Sequence, residues 1–325
     1  MHCQSADNVH YVILICDTGT TDRALKCAII PDVPGKPHKI LLYYIFRPLA
    51  DPTAIAMWQQ QLCERLGLRG RILVSPHGLN GTVGGEIDSL LEYIKVTKGY
   101  PSFREIDFKW SAGHALDFPR LKVKVRNEVV AFGIPDEIKV TGEGIVGGGQ
   151  HLTPDELHQL VKDRGQEVVF FDGRNAFESK IGRFKNAIVP ETRTTHDFIR
   201  EIESGTFDQF KNNPVVTYCT GGVRCEVLSM AMKNRGFSEV YQLAGGIARY
   251  GETYGNDGYW EGSLYVFDRR MVMDFDPNTI PIGECEYCSA PTKNFYNCSD
   301  LVCHTLTLMC PPCRESVPSD SCIHQ

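Results

Sequence analysis

The chain has 325 residues, 42% of them hydrophobic and 23% charged, with a net charge of -6. That length accommodates two domains and a small appendage, and the acidic balance excludes a protein that coats nucleic acid non-specifically, because counterion release needs a basic face. No apolar run approaches the roughly 20 residues of a membrane span, and Met1 to Asp7 lacks the basic stretch and apolar core of a secretory signal. The expectation is a cytoplasmic protein in a thiol-reducing compartment, with no membrane partner.

Residues 1–37 hold one apolar run and end in Pro31, Pro34, Gly35 and Pro37, an N-terminal extension closed by a linker. From Lys39 the pattern predicts a strand (Ile40 to Phe46), a helix after Asp51-Pro52 (Thr53 to Leu66), a strand (Arg71 to Ser75), a glycine-rich turn, a strand (Gly81 to Gly84) and a helix from Ile87 to about Thr97. Leu121, Val123 and Val125 then alternate with Lys122, Lys124 and Arg126, the period of a strand with one buried face over Leu121 to Ala131. This βαββαβ order predicts a ferredoxin-like (acylphosphatase-like) α+β domain over residues 38–140. Arg120, Lys122, Lys124 and Arg126 share one face of its last strand, where they could meet phosphates or simply be solvated.

Gly142, Gly144 and Gly147 match GxGxxG by letters, but no convincing buried strand precedes them and the next helix starts only at Thr153. Residues 141–150 therefore read as a linker and no nucleotide cofactor is predicted; the chain also lacks a P-loop. Thr153 and Glu156 have capping-box spacing with Pro154 at the first helical position. They open a second, α/β domain over 151–276. Its short apolar runs, Glu167 to Phe171 and Val215 to Tyr218, suit buried parallel strands.

Cys219 stands where the second of these strands ends, followed by Thr220, Gly221, Gly222, Val223, Arg224 and Cys225. Glu226 to Asn234 then reads as a helix closed by Gly236. Strand, glycine loop and helix N-terminus put the thiol where open α/β sheets bind ligands. A free thiol, with a pKa of about 8.5, is mostly protonated at neutral pH, whereas a helix dipole, inward-facing N–H groups and Arg224 favour the thiolate. Cysteine phosphatases space Cys and Arg as C-x5-R. Cys219 to Arg224 is C-x4-R, a smaller ring that suits a terminal sulfur or another small group. The bland alternative is a cysteine packed as a small hydrophobe. Cys225 either resolves an oxidised Cys219 as a disulfide or caps the helix and packs.

Seven of the thirteen cysteines fall between Cys285 and Cys322, within a Cys-rich C-terminal segment over 277–325. Cys285-x2-Cys288 and Cys310-x2-Cys313 are paired knuckles separated by 21 residues, close to the spacing of a tetrahedral zinc site, with cluster iron or metal-free thiols as the alternatives. Cys298, Cys303 and Cys322 remain for a second ion, with His304 or His324 as a fourth partner. A segment this short buries little, so metal ligation would stabilise it more than any core.

The segment Pro214 to Glu226 resembles the active loop of rhodanese domains, and Phe171-Asp172-Gly-Arg174 through Phe177-Glu178 resembles their upstream signature. The run Arg183 to Pro190 is similar to the segment that follows it, although Arg183 stands where ordinary rhodaneses often carry His. The span from about Lys39 to Cys322 resembles the bacterial tRNA uridine-34 hydroxylases that contain a rhodanese domain. That likeness is carried by His77-Gly-Leu-Asn-Gly-Thr-Val-Gly-Gly85, Phe118-Pro-Arg-Leu-Lys-Val-Lys124 and the Cys219 loop with its cysteine-rich tail; the first 37 residues have no counterpart there. The resemblance implies hydroxylation of the wobble uridine of tRNA to 5-hydroxyuridine, with molecular oxygen as co-substrate, Cys219 as the active cysteine and the anticodon region as the partner. A rhodanese loop taken alone implies instead a persulfide and sulfur transfer, or a non-catalytic binding module.

Overall fold

The computed structural model describes residues 37–298, 300, 303 and 305–316; the expected extension lies, Pro37 apart, outside them. The N-terminal domain runs β1 (His38–Phe46), α1 (Pro52–Arg65), β2 (Arg69–Ser75), β3 (Gly78–Glu86), α2 (Ile87–Lys98), β4 (Lys109–Ala112) and β5 (Leu121–Val125), in sheet order β4-β1-β3-β2-β5. Helix α1 starts where the Asp51 carboxylate accepts the Ala54 N–H, with Pro52 in the first turn, where its missing N–H is not needed. Strand alternation divides the sheet into two faces. Leu41, Tyr43 and Ile45 join Ile55, Leu62, Leu90 and Tyr93 in a core beneath the two helices. Leu42 and Tyr44 point to the other, helix-free face, and that face reaches the functional site.

The closing strand of the βαββαβ unit differs from the sequence expectation. Lys109–Ala112 pairs antiparallel with β1 and closes the unit, whereas Leu121–Val125 is a fifth strand added parallel to β2 at the opposite edge. A four-residue strand carrying one lysine and one serine is too short to show a period. The added strand also ends at Val125, six residues before the expected limit.

The glycine-rich stretch expected to be a plain linker holds a small hairpin of β6 (Val140–Thr141) and β7 (Gly144–Ile145). The second domain follows with β8 (Gln150–Leu152), α3 (Pro154–Arg164), β9 (Val169–Asp172), α4 (Ala176–Ser179), β10 (Gly182–Phe184), α5 (Asp197–Glu203), β11 (Pro214–Tyr218), α6 (Val223–Asn234), β12 (Glu239–Leu243), α7 (Gly246–Tyr254) and β13 (Trp260–Gly262). The α3 capping box forms as the spacing predicts: Thr153 Oγ1 accepts from the Glu156 N–H and Glu156 accepts from the Thr153 N–H, a cap worth about 1 kcal/mol. Strands β8, β12, β11 and β9 make a parallel sheet in that order. Every residue of the inner strand β11 is buried, as expected of a parallel strand covered on both faces.

A hairpin of β14 (Leu264–Tyr265) and β15 (Val272–Met273) returns to the N-terminal domain, where Arg269 N–H bonds the Asp117 carbonyl at 2.9 Å and Arg270 reaches the Ala112 carbonyl. The tail adds β16 (Phe295–Asn297), β17 (Leu306–Leu308) and α8 (Pro311–Ser316). Among the described residues, no helix is long and apolar enough to cross a membrane.

Candidate active site

Cys219 follows directly on β11, and its loop turns into α6 through Gly222, which has φ +100. That left-handed conformation lets the Gly222 N–H point back at the Cys219 sulfur, 3.2 Å away. Gly246, at φ +65, is needed for a different reason: a Cβ there would lie 2.4 Å from the Cys219 carbonyl oxygen. Its absence lets α7 lock the loop, with the Ile247 and Ala248 N–H groups bonding the Cys219 and Thr220 carbonyls.

Burial alone pushes the Cys219 thiol up. It is outweighed by the hydrogen bond from the Cys225 thiol, the charge of Arg224 and the N–H groups of Cys225 and Arg224, which bring it down to about 6. Cys225 moves the opposite way, well above an ordinary thiol, because burial and its role as donor to Cys219 both favour its protonated form. One sulfur is thus an anion at neutral pH and its neighbour a proton donor.

Arg224 does not act as a bare charge on the ring. Its guanidinium forks onto the carboxylate of Glu178, which is fully buried on α4, and also donates to Thr220 Oγ1 at 3.2 Å. A second buried pair, Asp172 with Arg174, braces the end of β9, and Tyr218 donates to the same Asp172 at 2.8 Å. These two acids are the upstream residues of the sequence signature. Their spacing alone did not reveal that each holds an arginine.

Cys219 has no exposure to bulk solvent, but it lines a cavity of about 500 Å³. Thr220, Gly221 and Arg224 line one side of it, and the helix-free face of the N-terminal sheet supplies Leu42, Tyr44, Arg71, Asn80, Thr82 and Lys109. The Tyr44 hydroxyl donates to Glu226 at 3.0 Å. A Cβ on Gly222 would meet that hydroxyl at 2.9 Å, so glycine there also lets the two domains close. Tyr44, Arg71 and Lys109 were not singled out in the sequence, because none lies in the Cys219 loop and the cross-sheet alignment that gathers them is long-range.

The cationic face of β5 belongs to the same surface. Arg71 on β2 is in register with Lys122 on β5, and Lys124 lies two residues further along. Arg120 and Arg126, just outside the strand, are exposed. Crowding by Arg120 first, then by Arg71 and Lys124, pushes the Lys122 ammonium below its ordinary pKa. The cations therefore repel one another.

In the tail, the sulfurs of Cys285, Cys288, Cys310 and Cys313 all lie within 4.8 Å of one another. Four thiolates at about 2.3 Å from a central zinc would be separated by roughly 3.8 Å, and Cys288 and Cys310 stand 3.6 Å apart. The four residues fit a tetrahedral metal. Cys298 and Cys303 are not part of this cluster. Cys303 instead contacts Thr305 Oγ1 at 3.1 Å. Cys322, His304 and His324, named with them for a second ion, lie outside the described residues.

An activated cysteine on a rhodanese-type loop, roofed by an acylphosphatase-like sheet and followed by a four-cysteine knuckle, defines the class: a multidomain rhodanese protein. Comparisons agree domain by domain. Residues 38–129 match the UPF0176 acylphosphatase like domain, 153–253 the Rhodanese-like domain and 261–325 the Rhodanase C-terminal region. A protein of Corynebacterium diphtheriae named tRNA uridine(34) hydroxylase is 60% identical over 290 residues, covering 87% of this chain and 93% of that one. Proteins with the same name from Corynebacterium aurimucosum and an Arthrobacter species are 59% and 60% identical, over 87% and 88% of this chain and 94% and 97% of theirs. The chain belongs to the tRNA uridine(34) hydroxylase family.

Proposed function

We propose that this enzyme hydroxylates uridine 34 of tRNA to 5-hydroxyuridine using molecular oxygen, with Cys219 as its reactive sulfur. The observation that carries this reading is a thiol brought down to about 6 and set in a cavity that an electropositive sheet face also lines. Membership of the hydroxylase family supplies the reaction class. A base inside an anticodon loop reaches such a cavity only by leaving its stack, and extrusion costs least in a single-stranded loop. Arg71, Arg120, Lys122, Lys124 and Arg126 would hold the phosphates flanking it.

Replacing C5–H by C5–OH with oxygen leaves one oxygen atom to be reduced to water by two electrons and two protons. Closing the Cys219 thiolate and the Cys225 thiol into a disulfide releases two electrons and one proton, and solvent supplies the second proton. That makes Cys225, whose thiol is hydrogen-bonded to Cys219, the proposed resolving thiol. The four tail thiolates are the proposed zinc ligands, with a structural role.

The sulfurtransferase alternative shares the loop but predicts a different product. Nucleoside mass spectrometry of tRNA from a deletion strain separates the two. Loss of 5-hydroxyuridine, restored by the purified protein only in the presence of oxygen, supports hydroxylation. Loss of a thiolated nucleoside with 5-hydroxyuridine unchanged would overturn it.

A further inference from the structure

The row of residues that crosses the helix-free sheet face reads Lys109, Leu42, Thr82, Arg71 and Lys122, one from each strand in register. Its first member is unlike the other cations. The Lys109 side chain is only 5% exposed, whereas Arg71 is open to solvent. Its one carboxylate neighbour among the described residues, Asp107, stands 3.3 Å away and is shared: the same Oδ2 takes Arg249 of α7 at 2.8 Å. The shared carboxylate and Arg249 are about half exposed, so the nearly dry Lys109 ammonium is only partly countered. Such an arrangement is a poor choice for stability alone, because a buried charge is costly unless fully paired.

The missing anion is close at hand. The Lys109 ammonium lies 5.1 Å from the centre of the Tyr44 ring. The hydroxyl of that ring abuts Gly222, whose N–H donates to the Cys219 sulfur. Lys109 and Cys219 line the same cavity from different domains. Burial pushes the Lys109 ammonium down, while Asp107 first and Cys219 to a smaller extent hold it up.

We propose that Lys109 is a catalytic residue contributed by the N-terminal domain: across the cavity its ammonium faces the Cys219 thiolate, and it holds a carbonyl oxygen of the uracil ring seated between them. The N-terminal domain is then part of the reaction centre as well as an RNA-binding module. The substrate arm of this inference rests on the hydroxylase reading; the thiolate arm does not.

The charged and titratable groups facing Cys219 are Arg224 and Cys225 on α6, Tyr44 on β1 and Lys109 on β4. Arg224 is countered by Glu178 on α4, Tyr44 bonds Glu226 on α6, and Asp268 and Arg270 of the β14–β15 hairpin pair with each other at the same cavity. Those facing Lys109 are Asp107, Arg249, Tyr44 and Cys219. Removing the lysine takes a positive charge from the thiolate, and removing Asp107 takes away a negative one.

The test measures iodoacetamide alkylation of the Cys219 peptide by mass spectrometry from acidic to mildly alkaline pH, in the full chain and in Lys109→Met, Lys109→Arg and Asp107→Asn. The expected result is a midpoint that rises in Lys109→Met, stays near wild type in Lys109→Arg and falls in Asp107→Asn. Hydroxylation by Lys109→Met should drop in kcat by about tenfold or more at unchanged KM for tRNA, with partial rescue in Lys109→Arg. A kcat loss with an unmoved midpoint makes Lys109 merely a bolt between domains and overturns the proposal, as does an unchanged kcat. Should Lys109→Met fail to fold, an unmoved midpoint in Asp107→Asn overturns it equally. Wild-type protein that makes no 5-hydroxyuridine sinks the hydroxylase reading but leaves the alkylation arm to judge Lys109.

Discussion

Arg224 and Glu178 meet as a two-bond fork, Nη1 to Oε1 at 2.5 Å and Nη2 to Oε2 at 2.9 Å, with both side chains withdrawn from solvent. The guanidinium that sustains the Cys219 anion is therefore aimed by a carboxylate 46 residues upstream. Glu178→Ala leaves the guanidinium buried and unpaired, and breaking such a pair costs about 3–5 kcal/mol. Urea unfolding should show that loss, whereas a double variant that also replaces Arg224 with Met should recover part of it. Lys in place of Arg224 cannot make two parallel bonds, so Arg224→Lys should raise the alkylation midpoint of Cys219. Glu178→Ala with wild-type stability would show that the fork contributes nothing.

Cys219 and Cys225 should separate by function. Cys219→Ser removes the anion and is expected to abolish 5-hydroxyuridine formation. Cys225→Ser keeps a hydroxyl donor beside the sulfur and is expected to retain part of the activity when an external thiol supplies the electrons. Single-turnover reactions without added thiol should consume two protein thiols for each hydroxyl formed, read by intact-mass labelling. Equal retention of activity in both serine variants would remove Cys219 from the mechanism.

The pH dependence has a definite sign. Because the folded value of Cys219 is lowered to about 6, its alkylation should be flat at neutral pH and fall as acid carries the solution through about 6. An unfolded thiol titrates near about 8.5. The stability that the folded thiolate contributes is therefore fully present above that value, and it is lost as pH falls through the folded one. A Cys219 midpoint at or above that of a free thiol would contradict the cradle described above.

How much of this was legible in the sequence depends on the range of the interaction. The Cys219 loop was readable because strand end, glycine turn and helix start are consecutive, and the chemistry of the cradle is local. The α3 cap and the four-thiol knuckle were readable for the same reason, since fixed short spacings encode both. The strand Lys109–Ala112 is not legible in the sequence because four residues carry no measurable period, and neither is Lys109, whose meaning comes from Leu42 and Thr82 beside it in the sheet. The Tyr44 contact with the Gly222 turn joins residues 178 apart, and Glu178 needed the fold to find Arg224. Local chemistry singled out the proposed nucleophile, and tertiary register supplied the groups around it.

The knuckle of Cys285, Cys288, Cys310 and Cys313 should bind one zinc per chain when the protein is purified without chelator, read by elemental analysis. Strong chelation, or Cys310→Ser, should lower the melting temperature. Among the described residues, the hydrophobic cluster beside the knuckle has only Met309, Cys285 and Cys310 as buried members, so the knuckle itself depends on the metal, while Phe295 and Leu308 still pack the rest of the tail against Ile181 and Tyr265. Cys298→Ser and Cys303→Ser should leave the zinc content at one. Metal-free protein with an unchanged melting curve would make these four residues ordinary thiols.

The cationic face makes a prediction about salt. Arg71, Lys122 and Lys124 lie on one sheet surface, and no carboxylate forms an ion pair with them among the described residues. If each contacts a phosphate, the slope of log K for tRNA against log salt should fall by about 1 for every cation removed. Charge reversal of Arg120, Lys122, Lys124 and Arg126 together should weaken tRNA binding strongly at low salt and much less at high salt, while leaving Cys219 alkylation unchanged. Arg71→Ala should act differently, because its side chain borders the cavity itself. It should weaken binding by a single contact and also lower kcat, since a phosphate held there sets how far the extruded base enters. Charge reversal that leaves both affinity and salt slope unchanged would place the RNA on another surface, and the reach from phosphate to sulfur would need a different route.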